Sequence, residues 1–322
     1  MKNFAGKIAF ITGGASGAGL GQAKLFSKSG MRVAIADMRQ DALDNAVGEI
    51  IAYSGAKPED VLALKVDLTN RAEYIAAADK AEEVFGAPPH LLIQTAGVNA
   101  FGPAETSTFE DFDWIVGVCF NAVVNGLVIF VPRMVKAYGN KEEFHIAATS
   151  SYAAFMGLPG NAPYDSAKAA VLNLHDSYYK ALVPYGGGAT VLCPQNINSN
   201  IFACQLYRPE SLAPTGYNTT ETTMAFLKNM HSQGMDPVEL AGWLKRAIEN
   251  DQLIVLPYDN AEEMLRGNYE RYIKYASPEG MKQIREQDEA ERLAAASFAD
   301  PGVGFGAARA GIDWVHESKK PK

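Results

Sequence analysis

Cysteine is scarce in this chain. Cys119, Cys193 and Cys204 are the only three among 322 residues, an odd number without metal-binding spacing. A disulfide framework is therefore not expected, no metal site is predicted, and each thiol is expected to be a small buried apolar residue. Because intracellular thiols stay reduced, this cysteine usage predicts a cytoplasmic location.

Positive charge and long apolar runs are also lacking. The chain has 29 Lys and Arg against 37 Asp and Glu, which gives a net charge of −8. A nucleic acid partner is not expected, because its binding surface must be basic.

No apolar run approaches the roughly 18 residues of a membrane span. The N-terminal stretch MKNFAGKIAFITGG reaches its glycines too soon for the core of a signal peptide. We therefore predict a soluble globular protein without nucleic acid or membrane partners.

The chain does contain a regular alternation of two kinds of segment. Seven short, nearly continuous apolar runs are typical of strands covered on both faces, as in a parallel sheet. They span residues 7–12, 31–37, 61–67, 90–97, 144–151, 189–195 and 253–258. Helices are predicted at 18–29, 38–54, 70–85, 108–138, 162–183 and 236–250. This alternation predicts an α/β fold with a doubly wound, parallel, seven-stranded Rossmann-type sheet and helices on both faces.

One domain is predicted over residues 1–258, since the chain shows no repeat and no low-complexity linker. Residues 199–235 form an irregular segment after the sixth strand, at the edge where ligands bind. This segment is either a long surface loop or a lid over the substrate. Residues 259–322 are predicted to be a mostly helical extension with a glycine-rich end, not a separate domain. The extension is either an arm that contacts a neighbouring subunit or a solvated appendage.

A glycine turn follows the first predicted strand. Gly13, Gly17 and Gly19 lie in the stretch TGGASGAGLGQAKLF, where a helix is predicted to begin. Glycines let the backbone turn sharply and approach a ligand, and a helix N-terminus favours a pyrophosphate. A turn used only for close packing is the alternative. The second glycine-rich stretch, GVGFG at 302–306, follows no predicted strand and is set aside.

An acidic residue closes the second predicted strand. Asp37 lies 20 positions after Gly17, where an acid typically binds the adenosine ribose hydroxyls of a dinucleotide. Its charge would repel the 2′-phosphate of NADP, so NAD is the predicted cofactor, although Arg39 can partly offset that charge. Asp37 can also be read as a helix N-cap. The order of strand, glycine turn, helix, strand and acid favours dinucleotide binding.

Two tyrosine–lysine pairs share the spacing Y-x-x-x-K. In the pair at 53–57 a glycine intervenes and a proline follows, so the two side chains need not share a helix face. For Tyr164 and Lys168, Asn161 can cap a helix and Pro163 fits its first turn. This second pair then lies on one helix face. Taken alone, it fits an amphipathic surface helix as well as a catalytic pair.

The ordered set of motifs resembles the short-chain dehydrogenase/reductase family over about residues 5–258. Ser151 ends the fifth predicted strand, 13 positions before Tyr164. The stretches QTAG, VDLT and PQNINS correspond to three turns that contact the cofactor in the family. The resemblance implies that Ser151, Tyr164 and Lys168 are catalytic. It also implies that NAD contacts Gly13, Ser16, Gly17, Gly19, Asp37, Asp67, Ala96, Gly97, Tyr164, Lys168, Pro194, Ile197 and Ser199.

Two positions depart from the family pattern. Gln195 stands where the nicotinamide-side turn has a glycine, so the local backbone geometry is expected to differ. An ungapped alignment places Cys119 where the family has an asparagine that holds a water between the lysine and bulk solvent. A thiol cannot replace the donor and acceptor geometry of an amide. Asn121 is close in sequence but points elsewhere on the helix. We expect the protein to tolerate this change.

The resemblance implies a reaction for the catalytic residues. Tyr164 would remove the proton of a secondary alcohol while the alcohol carbon gives hydride to NAD, so that a ketone forms. Free tyrosine has a pKa of about 10, and Lys168 is expected to lower that pKa. Ser151 would hold the substrate oxygen. Its neighbour Ser150 is expected to point to the opposite face of the strand.

The substrate is expected to be aromatic. Within the family the sequence is most similar to bacterial Cα-dehydrogenases that oxidise the benzylic alcohol of lignin-derived β-aryl ethers, notably in GGASGAGLGQAK, TAGVNAFGP, DFDWIVGV and FVPRM. An aliphatic or cyclic alcohol, and a non-catalytic NAD-binding regulator, are the alternatives.

The resemblance also implies a homodimer or homotetramer formed through the helices near 108–138 and 162–183. Five side chains either line an aromatic pocket or serve core and loop packing: Phe101, Phe155, Met156, Phe202 and Tyr207.

Overall fold

A seven-stranded parallel sheet lies at the centre of the molecule. The computed structural model describes residues 1–213, 216–217 and 219–276 of the chain. The strands follow the order β3-β2-β1-β4-β5-β6-β7, and every neighbouring pair is parallel. The predicted doubly wound sheet is therefore confirmed. The strands are β1 Ile8–Thr12, β2 Arg32–Asp37, β3 Val61–Lys65, β4 Leu91–Gln94, β5 Phe144–Thr149, β6 Gly187–Leu192 and β7 Ile254–Val255.

Nine α-helices connect and follow these strands within the described residues. They are α1 Gly17–Lys28, α2 Gln40–Ser54, α3 Arg71–Phe85, α4 Phe109–Val116, α5 Ala122–Tyr138, α6 Ala162–Ala181, α7 Glu221–Ser232, α8 Pro237–Glu249 and α9 Ala261–Tyr275. The predicted helix at 108–138 consists of α4 and α5, joined by a π-helical turn over Gly117–Asn121. The segment 199–235, expected to be irregular, contains α7 and a 3-10 stretch at Ile201–Tyr207.

Both faces of the sheet are covered. In β1, Ala9 and Ile11 pack into one apolar cluster with α1, α2 and α8, while Ile8 and Phe10 pack into a second cluster with α3 and α5. Alternate residues of a strand point to opposite faces, so a strand buried on both sides needs apolar residues at every position. This burial is the physical reason for the continuous apolar runs in the sequence.

The strand order reverses between β1 and β4, which lie side by side although β2 and β3 intervene in the chain. At such a switch point the loops after the two strands diverge and leave a crevice at the carboxyl edge of the sheet. The loop after β1 is the glycine turn, and the loop after β4 contains Ala96 and Gly97. The topology therefore brings two of the predicted cofactor motifs together.

A close contact between helices α1 and α8 fixes the glycine turn from outside. A Cβ atom on Gly21 of α1 would overlap the backbone carbonyl of Pro237, the first residue of α8. Just before α8, Met235 forms a parallel bridge with Ile197 in the loop after β6. Consequently the helix that carries the glycine turn and the loop after β6 are held in register by the start of α8.

The stretch Phe109–Tyr138 is long and apolar enough to cross a membrane, by length and composition alone. This finding corrects the expectation that no apolar run approaches that length, since residues 114–132 include polar residues such as Asn121 and Asn125 but no charged one. It is weak evidence for a membrane span, because more than half of its most apolar window is buried inside the protein. Phe130 and Met134 pack under the sheet, as in a core helix.

The first part of the C-terminal extension is helical, as predicted. Helix α9 begins after Asn260, and its Leu265 packs against a small apolar cluster that contains Phe155, Val191 and Cys193. The start of the extension thus lies against the sheet of its own chain. The glycine-rich stretch at 302–306 and the rest of residues 277–322 lie outside the described residues.

Candidate active site

A cavity of about 510 Å³ opens along the carboxyl edge of the sheet. Its volume falls within the range of about 300–1,000 Å³ that is usual for ligand sites. The lining includes every predicted catalytic and cofactor-binding residue. These are Gly13, Ser16, Gly17, Gly19, Asp37, Asp67, Ala96, Gly97, Ser151, Tyr164, Lys168, Pro194, Ile197 and Ser199. The structure therefore brings into one site residues from the carboxyl ends of six strands and from helix α6.

The glycine turn has the backbone that a close-approaching ligand requires. Gly13 and Gly17 adopt left-handed φ angles of +65° and +52°, which residues with a Cβ rarely adopt. A Cβ on Gly13 would lie 2.8 Å from the backbone of Ala96, and one on Gly17 would lie 3.0 Å from Cβ of Ser199. Ser16 is the N-cap of α1, yet its side chain makes no capping hydrogen bond. The first amide groups of α1 are thus directed toward the cavity, where they can bind an anion.

Asp37 lies at the end of β2 and faces Arg39. The N-cap of α2 is Arg39 rather than Asp37, so the helix-cap alternative for Asp37 does not hold. Oδ1 of Asp37 accepts a hydrogen bond from the backbone N–H of Arg39 and lies 3.5 Å from its Nε. The guanidinium also donates to Oγ of Ser16 at 3.0 Å and lies over the ring of Tyr207, 5.1 Å from its centroid. Arg39 therefore partly offsets the acid, as the sequence suggested.

The site has a second acid, Asp67, on the loop after β3. Its Oδ1 accepts hydrogen bonds from the backbone N–H of Thr69 at 2.9 Å and from its hydroxyl at 2.7 Å. These local bonds fix the loop beside the cavity, where Asp67 is exposed and able to contact a ligand. Asp67 and Asp37 thus place two carboxylates at the end of the cavity formed by β2 and β3.

Ser151, Tyr164 and Lys168 meet at the other end of the cavity. Helix α6 begins after Asn161 and places Tyr164 and Lys168 on one face, as predicted. The predicted capping bond is absent, since the amide of Asn161 donates to Asp165 instead. Nζ of Lys168 lies 5.3 Å from the centroid of the Tyr164 ring. The hydroxyl of Ser151 lies close enough to the phenol to lower the pKa of Tyr164, and it accepts from the backbone N–H of Ala153.

The hydroxyl of Ser150 bonds the backbone of α6 and does not face the phenol of Tyr164. This hydroxyl donates to the backbone carbonyl of Lys168 at 2.7 Å, and the side chain is buried. Ser150 therefore ties strand β5 to helix α6, while Ser151 faces the phenol. This division agrees with the expectation from strand alternation.

Burial dominates the electrostatics of Tyr164 and Lys168. It raises the pKa of the Tyr164 phenol well above its usual value of about 10, and the hydroxyl of Ser151 opposes that increase. It also lowers the pKa of Lys168. The expectation that Lys168 would bring the pKa of Tyr164 below its usual value is therefore wrong, since desolvation disfavours the charged form of each group.

A cluster of polar side chains fixes the end of β5, where Thr149 binds Lys168. Nζ of Lys168 donates to the carbonyl of Thr149 at 2.9 Å. The hydroxyl of Thr149 in turn bonds Gln22 of α1 at 3.2 Å and Thr95 after β4 at 2.8 Å. Sequence reasoning missed Gln22 and the two threonines, because nothing in their local pattern distinguishes them from ordinary helix and strand residues.

Cys119 occupies the helix position that faces Lys168. Its thiol donates to the carbonyl of Val98 at 3.1 Å, and the N–H of Val98 approaches the sulfur at 3.4 Å. A Cβ on Gly97 would lie 3.5 Å from Nζ of Lys168 and 3.7 Å from Sγ of Cys119, so these groups share one small space. Burial raises the pKa of this thiol. Asn121, which was expected to point elsewhere, is exposed and lines the cavity.

The loop after β6 closes the cavity beside the catalytic pair. Pro194, Gln195, Ile197 and Ser199 all line it. The hydroxyl of Ser199 is buried and has no hydrogen-bond partner among the described residues. An unpartnered buried hydroxyl is costly unless a ligand satisfies it. Together with the glycine turn, this atom shows that the residues present fit a dinucleotide.

The aromatic wall differs from the expected one. Phe155 and Met156 do not line the cavity, because the 3-10 turn Tyr152–Phe155 directs Phe155 into the core cluster of β6. Phe101 is also absent from the lining, and Phe202 stacks behind the cavity on His231, 6.4 Å between ring centroids. Tyr207 does line the cavity, but against Arg39 at the Asp37 end.

A different set of side chains surrounds Tyr164. These residues were not predicted, since they come from four separate segments: α4, the π-helical turn after it, the loop after β4 and the segment after Ser199. They pack in one apolar cluster with the tyrosine and also line the cavity: Val98, Trp114, Val118, Ile201, Cys204 and Leu212. The space next to the phenol is therefore apolar and includes one indole ring.

The fold and the assembled site define a dinucleotide-dependent oxidoreductase of a known class. Residues 7–206 match the profile of the short chain dehydrogenase family, so the chain belongs to that family. This match covers most of the sheet and all of the Ser151, Tyr164 and Lys168 set. The resemblance stated from the motifs is thus confirmed.

Particular relatives extend the similarity beyond that region. A C alpha-dehydrogenase of Sphingobium sp. (strain NBRC 103272 / SYK-6) is 42% identical over 278 residues, which are 86% of this chain and 89% of the relative. The crystal structure of the LigD apo form from Sphingobium sp. strain SYK-6 matches with a TM-score of 0.70 and 37% identity, over 85% of this chain and 99% of that one. A short chain dehydrogenase/reductase from Burkholderia phymatum in complex with NAD matches with a TM-score of 0.79 and 30% identity, over 86% and 98%.

Proposed function

We propose that this protein is an NAD-dependent alcohol dehydrogenase that interconverts a secondary aryl alcohol and the corresponding ketone. The observation that carries the proposal is the meeting of Ser151, Tyr164 and Lys168 in a cavity that also contains the glycine turn. Similarity to a C alpha-dehydrogenase supports a benzylic alcohol, such as a lignin-derived β-aryl ether. The apolar cluster around Trp114 supports an aromatic substrate, because an indole ring stacks well on another ring.

NAD is proposed over NADP on the charge at the ribose end. Asp37 is nearly buried, and its carboxylate faces the cavity, so it can accept hydrogen bonds from ribose hydroxyls. A 2′-phosphate at this place would meet that negative charge. Arg39 weakens the discrimination, since its guanidinium already lies beside the same carboxylate. The amide groups at the start of α1 would bind the pyrophosphate. The unpartnered hydroxyl of Ser199 would form a hydrogen bond with the cofactor.

The catalytic residues would move one proton. The bound nicotinamide supplies the acceptor for the hydride that leaves the alcohol carbon. Tyr164 takes the hydroxyl proton during oxidation and returns it during reduction, so atoms and charge balance in both directions. Ser151 holds the substrate oxygen next to the phenol, at the place where negative charge develops. Lys168, fixed by the carbonyl of Thr149, supplies positive charge beside the tyrosine.

Replacement of Tyr164 by phenylalanine tests this role. Tyr164→Phe should abolish turnover of aryl alcohols, measured by the absorbance of reduced nicotinamide, while the dissociation constant of NADH stays within about twofold. The matched control is Tyr53→Phe, at the other Y-x-x-x-K site, whose half-exposed ring lies on α2 under Lys28. Near-normal turnover by Tyr164→Phe would refute the proposal. Tight NADH binding without turnover of any aromatic, aliphatic or cyclic alcohol by the wild type would favour the regulator instead.

A homodimer or homotetramer is proposed for the assembly. Phe109 at the start of α4 is 87% exposed and Val128 on α5 is 65% exposed, and both belong to the predicted contact helices. Large apolar side chains exposed to this degree favour a protein partner. Analytical ultracentrifugation of the wild type and of Val128→Glu tests it. A monomer at micromolar concentration in the wild type would contradict the proposal.

A further inference from the structure

Gln195 connects the loop after β6 to the C-terminal helix α9. Its Nε2 donates to Oδ1 of Asn260 at 2.9 Å and lies 3.8 Å from Sδ of Met264. Asn260 is the N-cap of α9, and Met264 lies in its first turn. The same residue, Gln195, also lines the cavity. A side chain that contacts α9 is thus attached to a backbone that contacts the ligand space.

Helix α9 supports the loop through two further contacts. The hydroxyl of Tyr258, just before the helix, donates to the carbonyl of Asn196 at 3.3 Å. Leu265 packs against the cluster of Phe155 and Cys193, which lies behind the turn that follows Ser151. The C-terminal extension therefore touches both segments that carry residues for the nicotinamide half of the site.

Two neighbouring elements support the loop. Met235, just before α8, holds its backbone, because the N–H of Asn198 donates to the carbonyl of Met235 at 3.0 Å, the N–H of Met235 donates to the carbonyl of Asn196 at 3.1 Å, and Ile197 bridges to the same residue. From the C-terminal side, Asn260 of the extension bonds the side chain of Gln195, and Tyr258, just before the extension, bonds the carbonyl of Asn196. A glycine at position 195 would remove the side-chain amide that bonds Asn260 and would give the backbone more freedom.

We propose that Gln195 is a positioning residue through which α9 fixes the nicotinamide-side loop, so that the C-terminal extension sets the affinity for the cofactor. The inference deepens the proposed function and rests on it for the identity of the reaction. It also explains the departure at this position. Glutamine replaces the family's glycine because this chain has a helix for the side chain to bind.

The direct experiment compares three full-length variants with the wild type. Gln195→Met keeps the length of the side chain but removes its donor, and Asn260→Ala removes the same bond from the helix. Gln252→Met is the matched control, since the side-chain amide of Gln252 donates to the carbonyl of Ile254, at the amino edge of the sheet and away from the cavity. NADH affinity is measured by fluorescence titration, and backbone hydrogen exchange is followed over residues 194–199. Kinetic constants for NAD and for an aryl alcohol are measured separately.

Gln195→Met should weaken NADH binding by roughly 3- to 10-fold, the effect of one neutral hydrogen bond. The KM for NAD should rise by a similar factor, with kcat and the KM for the alcohol changed less than about twofold. Exchange at 194–199 should become faster, and the double variant with Asn260→Ala should add little to either single variant. Gln252→Met should change none of these quantities.

Unchanged NADH affinity in Gln195→Met, or full additivity in the double variant, would overturn the inference. If Gln195→Met does not fold, Asn260→Ala tests the same bond from the other side. The binding and exchange measurements need no alcohol. A wild type that binds NADH but oxidises no alcohol would therefore refute the proposed function and leave this coupling standing.

Discussion

Two buried histidines should make the stability of this protein sensitive to mild acid. His145 on β5 donates from Nε2 to the hydroxyl of Thr190 at 2.9 Å, because that hydroxyl gives its own proton to the carbonyl of Gln252. His175 on α6 donates from Nδ1 to the carbonyl of Val171 at 3.0 Å. The remaining ring nitrogens, Nδ1 of His145 and Nε2 of His175, are buried without a hydrogen-bond partner among the described residues. A proton placed on either nitrogen would therefore be a buried, unpaired charge.

The size of the effect follows from the lowered pKa values. Burial lowers the pKa of His145 to about 3 and that of His175 to about 4, against about 6.5 in the unfolded chain. Between pH 7.5 and 5.5 the unfolded state then binds protons that the folded state does not, so stability falls as the pH falls. Integration over this window gives about 1.4 kcal/mol for each histidine and roughly 3 kcal/mol for the pair. Since total stabilities are commonly about 5–15 kcal/mol, the loss is large.

Urea denaturation at pH 7.5 and 5.5, followed by tryptophan fluorescence at one protein concentration, measures this loss. His145→Gln preserves a donor for Thr190 and should reduce the difference between the two pH values by about 1.4 kcal/mol. His175→Asn should do the same for the second site. Thr190→Val is the control, because it destabilises the protein at both pH values but leaves the imidazole in place. If both histidine variants lose as much stability on acidification as the wild type, the reasoning is refuted.

Four further outcomes follow from the site and its surroundings. Because burial raises the pKa of Tyr164, kcat/KM for alcohol oxidation should increase from pH 7 to 9, by up to about tenfold per pH unit. The kcat/KM for ketone reduction should not increase over the same range. A flat profile for oxidation would contradict this expectation. Asp37→Ala should shift the ratio of kcat/KM for NAD over NADP toward NADP by at least about tenfold, measured with each cofactor. Arg208→Met should destabilise the fold by roughly 3–5 kcal/mol in urea denaturation, since it leaves the fully buried carboxylate of Asp111 without its 2.7 Å ion pair; an unchanged midpoint would show that the pair contributes nothing. Cys119→Ser should retain the stability of the wild type, whereas Cys119→Ala should cost about 1 kcal/mol, because it removes the bonds of the thiol to the partly buried N–H and C=O of Val98.

The sheet could be predicted because its physical cause is local. Strands such as β1 and β5 are buried on both faces, so each apolar run in the sequence marks one strand. The meeting of the proposed catalytic and cofactor-binding residues in one cavity was predictable for a related reason. Parallel strands end at one edge, and a motif that follows a strand must therefore lie at that edge.

The wall of the cavity could not be predicted, because it depends on tertiary packing. The side chain of Phe155 takes its direction from one 3-10 turn, and this turn sends it into the core. Trp114 faces Tyr164 only because α4 crosses the mouth of the cavity and continues into a π-helical turn. Neither event leaves a periodic signal in the sequence. The pKa of Tyr164 was likewise misjudged, since burial is a property of the assembled site.

The contact between Gly21 and Pro237 has a consequence for the width of the site. The glycine turn lies at the start of α1, and Ser199 lies on the loop that Met235 holds next to α8. The packing of α1 against α8 at Gly21 and Pro237 therefore sets the distance between Gly17 and Ser199. A methyl group at position 21 would overlap the carbonyl of Pro237, so α1 and α8 would have to move apart, and we expect the gap between Gly17 and Ser199 to widen with them. A library of variants aimed at new cofactors can therefore vary position 21 to change the width of the site, without altering any residue that lines the cavity.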